Sequence, residues 1–160
     1  MTTPVSIKAE DPRTADGARL IGALDAHLSA LYDPQFNYFL DLDQLAQPNI
    51  TFMVARNTAG EALGCVALRD YADFAEIKRM YVDEAARGLG IAKALLKAAH
   101  DLALSKGFDT VRLETGDRQT AAIGLYQQAG YRPCGCYGDY APDSPHNHFF
   151  EIRLSPAATV

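Results

Sequence analysis

No segment of the sequence approaches the roughly 20 consecutive apolar residues of a membrane-spanning helix. Residues 1–8, MTTPVSIK, lack the basic stretch and apolar run of a secretory leader. The expectation is a cytoplasmic protein with no membrane partner. Cysteine is scarce. Cys65, Cys134 and Cys136 cannot all pair, and a chain of 160 residues needs no disulfide staple, so reduced thiols are expected. Positive charge is in deficit as well. Fifteen Lys and Arg against twenty Asp and Glu give a net charge of −5, and no basic stripe is present to neutralise a run of phosphates, which argues against a nucleic-acid partner. A negative field favours the approach of a cationic substrate, or serves only solubility. Internal repeats and low-complexity segments are missing too.

What is present suits one globular domain. With 48% apolar and 22% charged residues, the chain has the composition of an ordinary soluble protein. A single domain over residues 1–160 is expected, its core running from about 5 to 154 and residues 155–160 forming a frayed tail.

Hydrophobic periodicity divides that domain into elements. Val5 to Ala9 alternates as a strand, and Ile21, Leu24, Leu28 and Leu31 recur at helical spacing before Asp33-Pro34 breaks the pattern. A second short helix is expected around Phe39 to Leu45. Ile50 to Arg56 and Leu63 to Arg69 read as an antiparallel hairpin across the turn-rich Asn57-Thr-Ala-Gly60. Phe74 to Val82 reads as a strand in which Ile77 and Met80 fall out of phase for a period of two, pointing to a bulge near Lys78-Arg79. The clearest helix follows, with Ile91, Leu95, Ala99, Leu102 and Ala103 on one face and Gly107 at its end. Thr110 to Thr115 is then a strand, Thr120 to Ala129 a helix closed by Gly130, and Phe149 to Leu154 a final strand after a long loop. The order defines a mixed α/β layer architecture.

Between the strand ending at Val82 and the helix starting near Gly90 lies Arg87-Gly-Leu-Gly-Ile-Ala92. Free backbone N–H groups at a helix N-terminus make an anion site, glycine lets a phosphate approach the backbone, and Arg87 adds a full positive charge. A tight turn that uses glycine only for its conformational freedom is the alternative. No Gly-Lys-Ser/Thr follows, and the three glycines of a dinucleotide fingerprint are absent, so nucleoside triphosphate and NAD readings fall away.

The loop resembles the coenzyme A loop of the GNAT superfamily of N-acetyltransferases, Arg/Gln-x-x-Gly-x-Gly/Ala, at Arg87, Gly90 and Ala92. Glu76-Ile-Lys-Arg-Met-Tyr-Val82 is similar to that family's fourth strand, and Ala122-Ile-Gly-Leu-Tyr-Gln-Gln-Ala-Gly-Tyr131 to its Ala-x-x-Leu-Tyr-x-x-x-Gly-Phe/Tyr helix. The resemblance implies the GNAT fold: a mixed, mostly antiparallel sheet of six to seven strands flanked by about four helices, with the fourth and fifth strands splayed. It also implies acetyl-CoA as cosubstrate. The backbone of Met80 and Val82 would pair with the pantetheine arm, and the backbone of Arg87, Gly88, Leu89, Gly90, Ile91 and Ala92 would hold the pyrophosphate. Gln119 stands where family members often carry a pantetheine-binding Asn, and is otherwise a polar residue at a helix start.

Acetyl transfer to an amine needs a neutral nucleophile, a stabilised oxyanion and a protonated leaving thiolate. The resemblance makes Tyr126 the general acid, against the alternative of a packed helix tyrosine. Glu76 is the first choice of base and Glu114 the second, provided Glu76 is not simply a paired or solvated strand carboxylate. A bulge would turn Glu76 to the face opposite Met80. A backbone N–H near Tyr81 is the candidate oxyanion donor. No metal is expected, because Cys134-x-Cys136 and His146-x-His148 lack ligand spacing. His27 and His100 lie in helices with no paired nucleophile and are expected on the surface or in packing. By the resemblance, residues 32–38 and 137–145 line the acceptor cleft, or else only cap the core. The acceptor is then a small cationic amine or a protein amino group, and a homodimer is compatible with the fold. A non-catalytic acyl-CoA-binding module is the rival from another class.

Overall fold

Thr14 opens the first helix by accepting a hydrogen bond from the Gly17 N–H at 3.1 Å, which satisfies one of the helix's orphan donors. The computed structural model describes residues 4–33, 40–138, 140, 141 and 145–155. The elements are β1 (Ser6–Ala9), α1 (Ala15–Leu31), α2 (Leu42–Leu45), β2 (Ile50–Arg56), β3 (Ala62–Asp70), β4 (Ala75–Val82), a 3₁₀ turn (Glu84–Ala86), α3 (Ile91–Ser105), β5 (Thr110–Gly116), α4 (Thr120–Ala129), β6 (Arg132–Pro133) and β7 (Asn147–Arg153). The expected elements are all found. Helix α1 begins at Ala15, ahead of the first periodic residue Ile21, and α2 is a single turn opened by the reciprocal Asp41/Gln44 capping box. Phe39 lies outside the described residues, as do residues 34–38 of the aromatic segment 32–38 and residues 139 and 142–144 of the long loop.

The seven strands form one sheet in the order β1-β2-β3-β4-β5-β7-β6, antiparallel except where β4 meets β5. Helices cover both faces. On one, Ile91, Leu95, Leu96 and Ala99 of α3 and Tyr126 of α4 pack on Val66, Leu68, Ile77 and Leu113. On the other, Leu20 and Ile21 of α1 and Leu45 of α2 pack on Phe52, Val54, Cys65 and Ala67. A sheet with two covered faces explains why β2 and β3 carry near-continuous apolar runs.

The bulge falls where the phase slip in the sequence pointed. Cys65 faces Tyr81 and Ala67 faces Lys78, so the single residue Val66 spans Arg79 and Met80 together. Arg79 takes the left-handed conformation at φ 56, the only described residue other than glycine with positive φ. In consequence Ile77, Met80 and Val82 share the α3 face, whereas Tyr81 joins the α1 face.

Candidate active site

The parallel pairing of β4 with β5 runs through Ala75–Val111, Glu76–Arg112 and Ile77–Leu113 and goes no further, although β4 continues to Val82 and β5 to Gly116. The bulge at Arg79 lies two residues after the last pair, and a bulge increases local twist, which turns β4 away from its neighbour. A cavity of about 90 Å³ opens in the gap. Leu24, Leu28 and Tyr32 line it from α1 and the residue after it, and Ile77, Lys78, Arg79 and Met80 from β4. Glu114, Thr115 and Gly116 of β5 complete the wall, with Gln119, Tyr126, Tyr140, His146 and Asn147.

Among the expected site residues, Met80, Gln119 and Tyr126 come together here, and Glu114, the second choice of base, joins them. The Tyr126 side chain is 6% exposed and its hydroxyl lies 4.0 Å from the Met80 sulfur. Burial raises its pKa, and the charge of Glu114 raises it further, so the phenol carries its proton at neutral pH. Glu114 has no hydrogen-bond partner among the described residues, and burial pushes its carboxyl up to about 7, partly offset by the charge of Lys78.

Glu76 does not line the cavity. Placed by the bulge on the face opposite Met80, its carboxylate is completely buried and accepts hydrogen bonds from Tyr137 at 2.6 Å, Tyr140 at 2.8 Å and Tyr71 at 3.4 Å. The Tyr140 hydroxyl also accepts a hydrogen bond from Lys78 Nζ at 2.6 Å. Burial lowers the Lys78 pKa, while Glu76 and Glu114 oppose that shift. Lys78 and Arg79 escaped the sequence reading because strict alternation hides their place beside Glu114. Only the phase slip at Ile77 and Met80 signalled it.

Tyr32 fixes the far wall. Its hydroxyl accepts the Arg118 N–H at 2.6 Å and lies 2.1 Å from where a Cβ on Gly116 would stand, so only glycine fits there. His146 packs on the Tyr32 ring with centroids 5.3 Å apart, and its Nδ1 lies 3.2 Å from Asp117. Of the two discounted helix histidines, His27 is exposed, and His100 packs against Tyr131 with its Nε2 2.7 Å from the tyrosine oxygen. Burial lowers the His100 pKa to about 4.

At the end of β4 remote from the cavity, the loop from Arg87 to Ala92 leads into α3. Gly88 and Gly90 both adopt φ 81, a conformation that L side chains rarely enter. Gly90 is the N-cap, so no side chain caps the helix, and the first turn holds no acidic residue. The N–H groups at that end are therefore available to an anion, which the helix dipole also favours. Arg87 is exposed and folds back to donate from Nε to the Val82 carbonyl at 3.2 Å, with its guanidinium 5.9 Å from the Tyr81 ring centre. That fixes the loop's approach to β4 and occupies one acceptor expected to pair with a ligand.

A splayed parallel pair with an uncapped glycine turn at its head defines a site for a long ligand bearing an anionic group at one end and its reacting end in a small cavity. The chain belongs to the acetyltransferase (GNAT) family, whose sequence profile matches residues 20–131. It is 39% identical over 152 residues to a protein named IAA acetyltransferase from Azospirillum brasilense, with 94% of this chain and 98% of that relative covered. A crystal structure of a Klebsiella pneumoniae protein described as an acyl-CoA N-acyltransferase superposes with a TM-score of 0.79 at 34% identity, over 94% of this chain and 98% of the other. A GNAT acetyltransferase from Elizabethkingia anophelis, solved with acetyl-CoA bound, shares the fold at a TM-score of 0.66 and 19% identity, with 94% of this chain and 98% of that one covered. The protein is an acetyltransferase, and no helix among its described residues is long and apolar enough to cross a membrane.

Proposed function

We propose that the protein transfers the acetyl group of acetyl-CoA directly to a primary amine of a small molecule. The observation that carries this is the cavity where β4 and β5 part: it gathers a carboxyl titrating near neutrality and a protonated phenol in one small space. The loop Arg87–Ala92 would hold the pyrophosphate on its backbone N–H groups, the arm would run along Met80 and Val82, and Gln119 would face its inner end. An acyl thioester bound there supplies the activated acetyl group.

Glu114 is the base. An alkylamine with a pKa of ~10.4 is mostly charged at neutral pH, and a carboxylate at its threshold removes that proton first, freeing the lone pair with which the nitrogen attacks the carbonyl carbon. A backbone N–H near Tyr81 would receive the developing oxyanion. As the carbon–sulfur bond breaks, Tyr126 donates its proton to the thiolate and recovers one by way of solvent as the attached nitrogen sheds its second proton to leave the neutral amide. Glu76, first choice from sequence, acts through Tyr140 as a positioning residue.

The cavity of about 90 Å³ favours a small acceptor over a protein amino group. The test is release of free thiol from acetyl-CoA over a panel of primary amines, with IAA included because of the Azospirillum relative's name. Calorimetry for coenzyme A binding runs beside it. Acceptor-dependent thiol release is expected. Coenzyme A binding with no acceptor response would indicate a binding module, and neither signal would remove the acetyl-CoA assignment altogether.

A further inference from the structure

Two opposite charges share the cavity without meeting. Lys78 on β4 and Glu114 on β5 both line it, yet no carboxylate lies within 4.0 Å of Lys78 Nζ among the described residues. The only hydrogen-bond partner of that ammonium there is the Tyr140 hydroxyl at 2.6 Å. Three N–H groups and one acceptor leave two donors unused. The neighbouring cation, Arg79, is already paired with Asp25 of α1. Glu76, the next carboxylate, is taken up by its three tyrosines. A half-buried ammonium facing a small cavity is costly to leave without an anion.

Resting on acetyl transfer at this site, we infer that the acceptor is an amine that also carries a carboxylate, its nitrogen directed to Glu114 and its carboxylate to Lys78. A plain alkylamine would satisfy Glu114 and leave Lys78 unmatched. A second cationic group on the acceptor would meet Lys78 and Arg79 with like charge. A zwitterion pairs each charge of the cavity with its opposite, and the small volume favours a compact one.

The experiment compares kcat/KM for a set of α-amino acids with that for the matching α-amino carboxamides, read as thiol release from acetyl-CoA. The expected result is a preference of about tenfold or more for the carboxylate, the worth of a charge-assisted hydrogen bond. In Lys78→Met that ratio should fall towards one through the acceptor KM, and Lys78→Arg should keep part of it. The wild-type ratio stands even if a variant fails to fold. Carboxamides reacting as well as the acids, or a ratio untouched by Lys78→Met, would overturn the inference while acetyl transfer to amines stands. Thiol release with no amine at all would bring down the transfer reading itself.

Discussion

Tyr137 donates a hydrogen bond to the buried carboxylate of Glu76 at 2.6 Å, tying together residues 61 apart in the sequence. Tyr140 makes a second such bond, so a strand carboxylate anchors the loop before β7 and sets the hydroxyl that meets Lys78. Glu76→Gln keeps the shape but brings an N–H₂ towards hydroxyls that need an acceptor. The expected loss of stability is about 1–3 kcal/mol in denaturant melts. Acceptor KM should rise, while the limb of the pH–rate profile near neutrality survives. Disappearance of that limb would return the base role to Glu76.

Glu114→Gln should lower kcat by about 10²–10⁴ and flatten the rise of rate with pH through about 7. Stability moves the other way. The folded pKa of about 7 exceeds the ordinary 4.5, so between these values the unfolded chain ionises while the folded one stays protonated. Wild-type stability from this group therefore falls as pH rises through that window. Glu114→Gln should be more stable than wild type at pH 8, by on the order of 1–3 kcal/mol, with the gap closing below the ordinary carboxyl pKa. Melts at matched pH values check the sign.

For Tyr126→Phe, kcat should drop by about 10²-fold or more while the coenzyme A affinity from calorimetry stays within roughly twofold. A large loss of coenzyme binding would make the ring a packing element.

Gly90→Val forces a β-branched side chain to φ 81 at the start of α3. Coenzyme A affinity should fall by tenfold or more, at a strain of about 1–2 kcal/mol. Gly60, in the β2–β3 turn at φ 84 with nothing near its missing Cβ, is the control. Gly60→Val should bring similar strain with coenzyme affinity unchanged.

His100 is held neutral by burial, with its pKa lowered from 6.5 to about 4. Its contribution to stability is complete above the unfolded value and is lost as pH falls from there towards 4. The slope in that window is at most ~1.4 kcal/mol per pH unit. His100→Phe should abolish that slope, which urea titrations at several pH values would show.

The elements were legible because their periods are clean: α3 repeats apolar residues at helical spacing, and Gly107 and Gly130 close α3 and α4. Even the bulge left a trace, in the mismatch of Ile77 with Met80. The glycine loop proposed to hold the coenzyme was legible as a motif next to a strand and a helix. The wall of the cavity was not. Lys78 and Glu114 are distant in sequence and come to line one cavity where β4 stops pairing with β5, and Tyr137 and Tyr140, which bond Glu76, lie in a loop without periodicity. Long-range polar contacts leave no local pattern, so the ranking of Glu76 over Glu114 could be reconsidered only in three dimensions.

The bulge at Arg79 divides the duties of one strand. Upstream, Glu76 and Lys78 bond the tyrosines of the loop before β7; downstream, Met80 and Val82 pack on the α3 face, where the proposed coenzyme arm would run. Deleting that single residue would shift the reading frame of every side chain beyond it, as a lost nucleotide shifts codons. Tyr81 would be carried from the α1 face to the α3 face, into the place Met80 now holds. One inserted residue thus lets a short strand present different faces along its length, and makes its length as informative as its composition.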